Sequence, residues 1–280
     1  MYFEEISQDE GLNLIKENPC KLLNFGKLIV NPGGEYTGNT GDSEAVLVVL
    51  SGVASIEAGS ERFAKVGRRP SVFAGKPYSV YLPPNCNYTV RVKETATRFE
   101  AALALAKAKS ANGSKPFLIP PEEVVIGKWG VSNFSRTYHQ ILVHGLQSEH
   151  PVHRIIVGET FTPSGNWSTY PPHKHEKDDF PREAFMEEMY YFKVSPPDGW
   201  GLAKHYTVDR SIDNVYTVRD ETILKMPKGY HTVVSAPGYT TYYLWFLAGN
   251  TRIQAAVSDP DVGWVNRVVP IIKNIEENLS

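Results

Sequence analysis

Gly165-Asn-Trp-Ser-Thr-Tyr-Pro-Pro-His173-Lys-His175-Glu176 places two histidines two residues apart, directly behind a Pro-Pro pair. Side chains repeat every second residue along a strand, whereas on a helix this pair would diverge by about 200°. If His173 and His175 are to act together, the stretch is therefore extended, and the pair becomes a ready-made metal chelate. Downstream lie adjacent Glu187 and Glu188 in Met186-Glu-Glu-Met-Tyr-Tyr-Phe192, and His231 in Met226-Pro-Lys-Gly-Tyr-His231. Three imidazoles and one carboxylate suit zinc, manganese or iron better than calcium or magnesium. In a strand only one of the two glutamates can share the histidines' side. Both faces are otherwise apolar, so periodicity alone does not choose between them. In the Pro227-Lys-Gly229-Tyr-His231 turn, proline fixes φ and glycine permits a tight reversal, which would aim His231 from the start of the next strand.

The rest of the chain reads as short strands. In the first half, apolar runs at 27–30, 45–50, 53–58, 79–82 and 88–92 are separated by Gly, Pro and Asn. In the second half, runs at 154–162, 189–194, 203–208, 214–219, 221–226, 231–236 and 239–247 follow the same grammar. This spacing indicates antiparallel sandwiches or small barrels. The segment Glu100-Ala-Ala-Leu-Ala-Leu-Ala-Lys-Ala-Lys109 is helical by propensity, but Leu103 and Leu105 keep period two, and it is read as a strand. Small polar residues at 110–116 mark a linker, with an irregular connector over 110–140, and residues 271–279 have the spacing of a short terminal helix. The expected division is 1–115 and 116–280. All eight histidines fall at or after position 139, so the first half cannot carry a second three-histidine site.

Composition limits the partners. A chain of 280 residues with 29 basic against 31 acidic residues has no polybasic footprint, which argues against nucleic acid or an anionic membrane. No apolar run approaches the ~20 residues of a membrane span. With two cysteines, Cys20 and Cys86, no Cys-x-x-Cys pair and no leader-like start, the sequence reads as a reduced, cytoplasmic protein acting on a small molecule.

The order His-x-His, then Glu, then Pro-x-Gly-x-His is similar to the two cupin motifs. The wording resembles the 5-deoxy-glucuronate isomerase family of inositol catabolism. The likeness rests on Asn166-Trp-Ser-Thr-Tyr-Pro-Pro-His-Lys-His175, Glu187-Glu-Met-Tyr-Tyr191, Gly229-Tyr-His231 with Ala236-Pro-Gly-Tyr239, and Arg69-Pro-Ser-Val-Phe-Ala-Gly-Lys-Pro77. A related 4-deoxy-L-threo-5-hexosulose-uronate ketol-isomerase shares the metal layout. The resemblance implies an all-β fold of two tandem cupin-type jelly-roll barrels, a bicupin, with the first barrel free of metal ligands. It implies one divalent transition metal (Zn, Mn or Fe) on His173, His175, Glu188 and His231, and no organic cofactor. It implies aldose–ketose isomerisation of 5-deoxy-D-glucuronate to 5-dehydro-2-deoxy-D-gluconate. Twelve residues separate His175 from Glu188, where a compact cupin needs only three or four, so the glutamate's register is open.

Tyr190, Tyr243 and Glu176 are candidate proton carriers near the metal strands, and Arg154, Arg182 and Lys174 are candidate partners for a uronate carboxylate, with Lys174 expected to point away from the histidines. Cupin His/Glu sites also serve Fe(II) dioxygenases and non-catalytic sugar-binding proteins, which are the alternative readings. Exposed strand edges in such proteins are usually covered by a neighbour, so a homo-oligomer is expected.

Overall fold

A computed structural model describes residues 1–108, 113–146 and 150–279. Positions 110–112 of the linker expected at 110–116 lie outside the described residues. Among the described residues, four antiparallel sheets of 4, 6, 7 and 5 strands stack as layers, and three cores lie between them. One fills the space between the 4- and 6-stranded sheets, with Ile56, Val66 and Val90 meeting Leu28, Leu47 and Val80. A second lies between the 6- and 7-stranded sheets, where Phe25, Val48 and Tyr81 meet Met189, Tyr191 and Phe246. The third, between the 7- and 5-stranded sheets, includes Tyr190, Phe192, Tyr243, Ala203 and Val233. The fold is thus all-β, two tandem jelly-roll sandwiches of facing open sheets rather than closed barrels, with a short terminal helix at Val269–Leu279. No helix among the described residues is long and apolar enough to cross a membrane.

The alanine-rich segment is the strand Phe99–Lys107, central in the 6-stranded sheet between Leu23–Val30 and Ser43–Ser51. Ala102, Ala104 and Ala106 face the middle core, while Phe99, Ala101 and Leu103 face the first. Small side chains are needed there because the opposing sheet presents Tyr191 and Phe246, both stacked on Phe25. Packing overrides helix propensity at this strand.

The chain crosses between the layers at both ends of the first half. Phe3–Glu5 pairs with Thr222–Leu224 in the 7-stranded sheet, and Phe117–Ile119 pairs with Ser79–Tyr81 in the 6-stranded one. The connector is more regular than its composition suggests. Val125–Trp129 and Arg136–Leu142 pair with each other and extend the 7-stranded sheet beyond Ile156–Thr162.

Buried polar groups join the halves. Arg69 donates two hydrogen bonds of 3.0 Å to Glu159, which also accepts from Tyr242 and lies 2.7 Å from His139 Nδ1. The Glu44 carboxylate accepts the backbone N–H groups of His153, Arg154 and Ile155. Burial works to raise the pKa of Glu159, but Arg69 and His139 outweigh it and hold the carboxyl below its ordinary value of 4.5. The unfolded chain therefore binds the extra proton first, so the stabilisation is complete above that value and is lost as pH falls below it. Glu159→Gln should destabilise the protein by about 3–5 kcal/mol at neutral pH, because it leaves Arg69 buried without its charge partner, while a double Arg69→Met, Glu159→Leu variant should recover much of the loss. Urea melts at pH 7 and near pH 4 check both points: the acid-induced fall attributable to this pair should disappear in Glu159→Gln.

Candidate metal centre and cavity

Two strands of the 5-stranded sheet deliver the histidines. In the pairing of Trp167–Lys174 with Tyr230–Ser235 the register shifts between Ser168 and His173, and beyond the shift His173 sits directly opposite His231. The turn before His231 is held from several sides. Gly229 has φ +95°, and a Cβ there would lie 2.7 Å from the Tyr206 carbonyl oxygen. His205, opposite His231 on the neighbouring strand, binds the Lys228 carbonyl at 2.7 Å. Glu176 accepts the Gly229 N–H at 3.2 Å and pairs with Lys174 at 3.0 Å.

His175 lies just past the strand end, and the long insertion before Glu188 closes on it. The Met186 N–H donates to the His175 carbonyl at 2.9 Å, and His175 Nδ1 meets the Met186 carbonyl at 2.7 Å. This reciprocal pair pins the two ends of the excursion together and brings Glu188 alongside the histidines. Strand pleating then separates the two glutamates. Glu188 faces the third core and the histidines, and Glu187 faces the middle layer, where it accepts the backbone N–H groups of Lys21, Leu22 and Leu23 at 2.7–3.3 Å.

One ligand atom from each of His173, His175, Glu188 and His231 falls within a group whose members all lie within 4.8 Å of one another. Glu188 Oε2 is 2.9 Å from His175 Nε2 and 3.0 Å from His231 Nε2. The chemistry of this donor set fits a cation. A carbonyl oxygen at His175 Nδ1 accepts only from a protonated nitrogen, which leaves Nε2 facing a carboxylate oxygen. That pairing needs positive charge: burial acts to lower the imidazole pKa and Glu188 outweighs it to raise it, while a metal ion between the two would supply the same charge. His231 Nε2 is buried and out of line for a hydrogen bond to its close carboxylate neighbour. Burial together with the neighbouring His231 and His175 holds His173 well below the usual imidazole range, which keeps its nitrogens available as donors of electron pairs. At Glu188, burial is outweighed by His231 and His175, and the group stays ionised.

The quartet borders a cavity of about 470 Å³ whose walls include Arg136, Tyr138, Gln140, Tyr190, Tyr243 and Trp245. Tyr190 stands edge-on to His231 with ring centres 5.5 Å apart, and Tyr243 lies 4.5 Å from Tyr190, its hydroxyl hydrogen-bonded to Ser168. Burial raises both phenols, and the Glu188 charge adds to this at Tyr190. Gly158 makes room for Trp245, since a Cβ would come within 2.1 Å of the indole ring.

Of the residues expected at the site, His173, His175, Glu188, Tyr190 and Tyr243 line the cavity and His231 joins them through the ligand cluster. The three cations expected to receive a carboxylate do not line it. Lys174 points to the opposite side, as strand alternation requires, and is neutralised by Glu176 and Glu183. Arg154 turns to the Gly249 carbonyl. Arg182 is exposed and paired with Asp179. Glu176 braces the His231 turn instead of facing the cavity. Arg136 is the lining cation, and its segment reads from sequence as irregular connector. The alternation Arg136, Tyr138, Gln140 was the available signal.

Residues 6–265 match the model of the KduI/IolB family. The chain is 39% identical over 264 residues to a 5-deoxy-glucuronate isomerase of Geobacillus kaustophilus, covering 92% of each chain, and 36% identical over 261 residues to the Bacillus subtilis strain 168 protein of the same name, covering 91% of this chain and 93% of that one. The crystal structure of an IolB-like protein from Salmonella typhimurium LT2 superposes with a TM-score of 0.86 at 30% identity, over 95% of this chain and 99% of that one. Oxalate decarboxylase of Lactobacillus farciminis, at 10% identity and a TM-score of 0.64 over 100% of this chain and 94% of that one, shares the two-cupin fold alone. With nearly its whole length matched by the family model and by relatives of this similarity, the chain belongs to the KduI/IolB family.

Proposed function

We propose that this protein is a metal-dependent aldose–ketose isomerase that converts 5-deoxy-D-glucuronate to 5-dehydro-2-deoxy-D-gluconate in the breakdown of myo-inositol. The observation that carries the reading is the convergence of three imidazoles and one carboxylate beside a sugar-sized cavity, in a chain whose relatives bear the name of that enzyme. His173, His175, Glu188 and His231 hold one divalent zinc, manganese or iron ion. When bound, that ion supplies Lewis acidity, drawing electron density from a carbonyl so that the neighbouring C–H becomes more acidic. The conversion moves one proton from C2 to C1 and one hydroxyl proton from O2 to O1, with no net redox change and no organic cofactor.

The remaining work belongs to the side chains around the metal. Tyr190 and Tyr243, kept protonated by burial, donate hydrogen bonds to the sugar oxygens on which negative charge develops. Ser168 orients the Tyr243 hydroxyl. Trp245 and Leu247 keep one wall apolar and limit water. Residues 1–115 act as architecture, and residues 116–280 carry the chemistry. The two cysteines are free and buried, in keeping with a reduced cytoplasmic protein. The edge strand Val125–Trp129 exposes Ile126 and Trp129, which supports a homo-oligomer.

Purified protein should contain close to one transition-metal ion per chain by elemental analysis and should interconvert the aldose and ketose acids without taking up oxygen. Removal of the metal should abolish turnover, and re-addition should restore it. Steady oxygen consumption would identify an oxygenase, and unchanged sugar after long incubation would identify a binding protein. His173→Ala and His231→Ala should each lose the metal and on the order of 10³-fold in kcat/KM, the equivalent of several kcal/mol of Lewis-acid assistance. Tyr243→Phe should keep the metal while kcat falls about 10²-fold, a result read from steady-state kinetics with metal content measured in parallel. Light scattering should return a mass greater than one chain.

A further inference from the structure

A sugar acid in this cavity brings a carboxylate that must be desolvated and paired. Among the described residues lining the cavity, Arg136 is the only lysine or arginine. It opens the strand Arg136–Leu142, whose alternate residues Arg136, Tyr138 and Gln140 face the cavity while His139, between them, turns to Glu159 on the other side of the sheet. Its Nη1 is shielded from solvent and has no hydrogen-bond partner. The other cations expected at the site stand outside the cavity, Lys174 paired with two glutamates and Arg154 turned to a backbone carbonyl. The Arg136 charge is felt at His173, Tyr190 and Tyr243, so the guanidinium shares the cavity with the ligand cluster.

We propose that Arg136 binds the carboxylate of the sugar acid and thereby presents the aldehyde end of the chain to His173, His175, Glu188 and His231. This rests on the isomerase reading above and adds to it the choice of acids over neutral sugars. A planar guanidinium takes a carboxylate through two parallel N–H bonds, which fixes orientation as well as charge. An ammonium at the same place supplies charge without that geometry.

The test compares the metal-loaded wild type with Arg136→Met and Arg136→Lys in two arms. In the binding arm, calorimetry with D-glucuronate and D-glucose needs no turnover. Wild type should prefer the acid, and Arg136→Met should lose about ten- to a hundredfold in affinity for D-glucuronate while its affinity for D-glucose is unchanged. In the kinetic arm, Arg136→Met should raise KM for 5-deoxy-D-glucuronate by a similar factor and erase the preference over neutral 5-deoxy-glucose. Arg136→Lys should fall between the two, and all three proteins should keep the same metal content and melting temperature. Should Arg136→Met fail to fold, the Arg136→Lys comparison decides by the same ratios. Wild-type affinity for D-glucuronate in a folded, metal-loaded variant overturns the proposal. Acid-selective binding that depends on Arg136 in a protein without isomerase activity upholds the carboxylate site and rejects the isomerase reading.

Discussion

The pleat of the Met186–Ser195 strand sends two neighbouring carboxylates to opposite sides of one sheet, and the rest of the molecule is arranged around that fact. Glu188 enters the cavity beside three imidazoles, while Glu187 is clasped by three backbone N–H groups of the other half. A shift of one residue in this strand would send every side chain to the opposite face, in one direction burying Glu188 among the apolar side chains of the middle layer and in the other setting Met189 in place of the anion beside the histidines. Register at this strand is set on one side by Thr240–Gly249 and on the other by Thr222–Met226. The position of the chemistry is thereby tied to the packing of the halves.

The layered stack follows from the same alternation. Odd and even residues of the central strands feed different cores, so each large sheet is apolar on both faces and its strands read as nearly continuous hydrophobic runs. Alanines on one sheet meet aromatics on the next, which sets the spacing of the two central layers. Charges enter these layers with hydrogen-bond partners, either an opposite charge, as in the Arg69, Glu159, His139 and Tyr242 cluster, or backbone N–H groups, as at Glu44 and Glu187. Ionised groups left single at that depth would carry a large desolvation cost.

Much of this was legible in the sequence because strand periodicity is local. Extended backbone at the Tyr-Pro-Pro-His-Lys-His stretch, strands within 100–109 and 189–194, and the grouping of His173, His175, Glu188 and His231 all follow from residue type and spacing together with the family resemblance. What escaped depends on contacts between distant segments. Phe3–Glu5 has no local partner and becomes a strand only on meeting Thr222–Leu224. The strands Val125–Trp129 and Arg136–Leu142 are interrupted by Gly130 and a helical turn at Ser132–Phe134, which masked them as connector. That misreading hid Arg136 and left attention on Lys174, Arg154 and Arg182, whose commitments to Glu183, Gly249 and Asp179 are visible only in three dimensions. Periodicity alone left Glu187 and Glu188 equal; the family resemblance pointed to Glu188, and the partner of each carboxylate gives the physical reason.

The half without histidines gains a different significance from Glu44. Its carboxylate ends on the backbone amides of residues 153–155, immediately ahead of the strand Ile156–Thr162 that walls the cavity, and Arg69 reaches the same strand at Glu159. Cutting the chain into two modules would strand these groups on freshly bared surfaces. Recombining halves from different relatives would succeed only where both anchors travel with their acceptors, which makes the silent half a determinant of which chimaeras can exist.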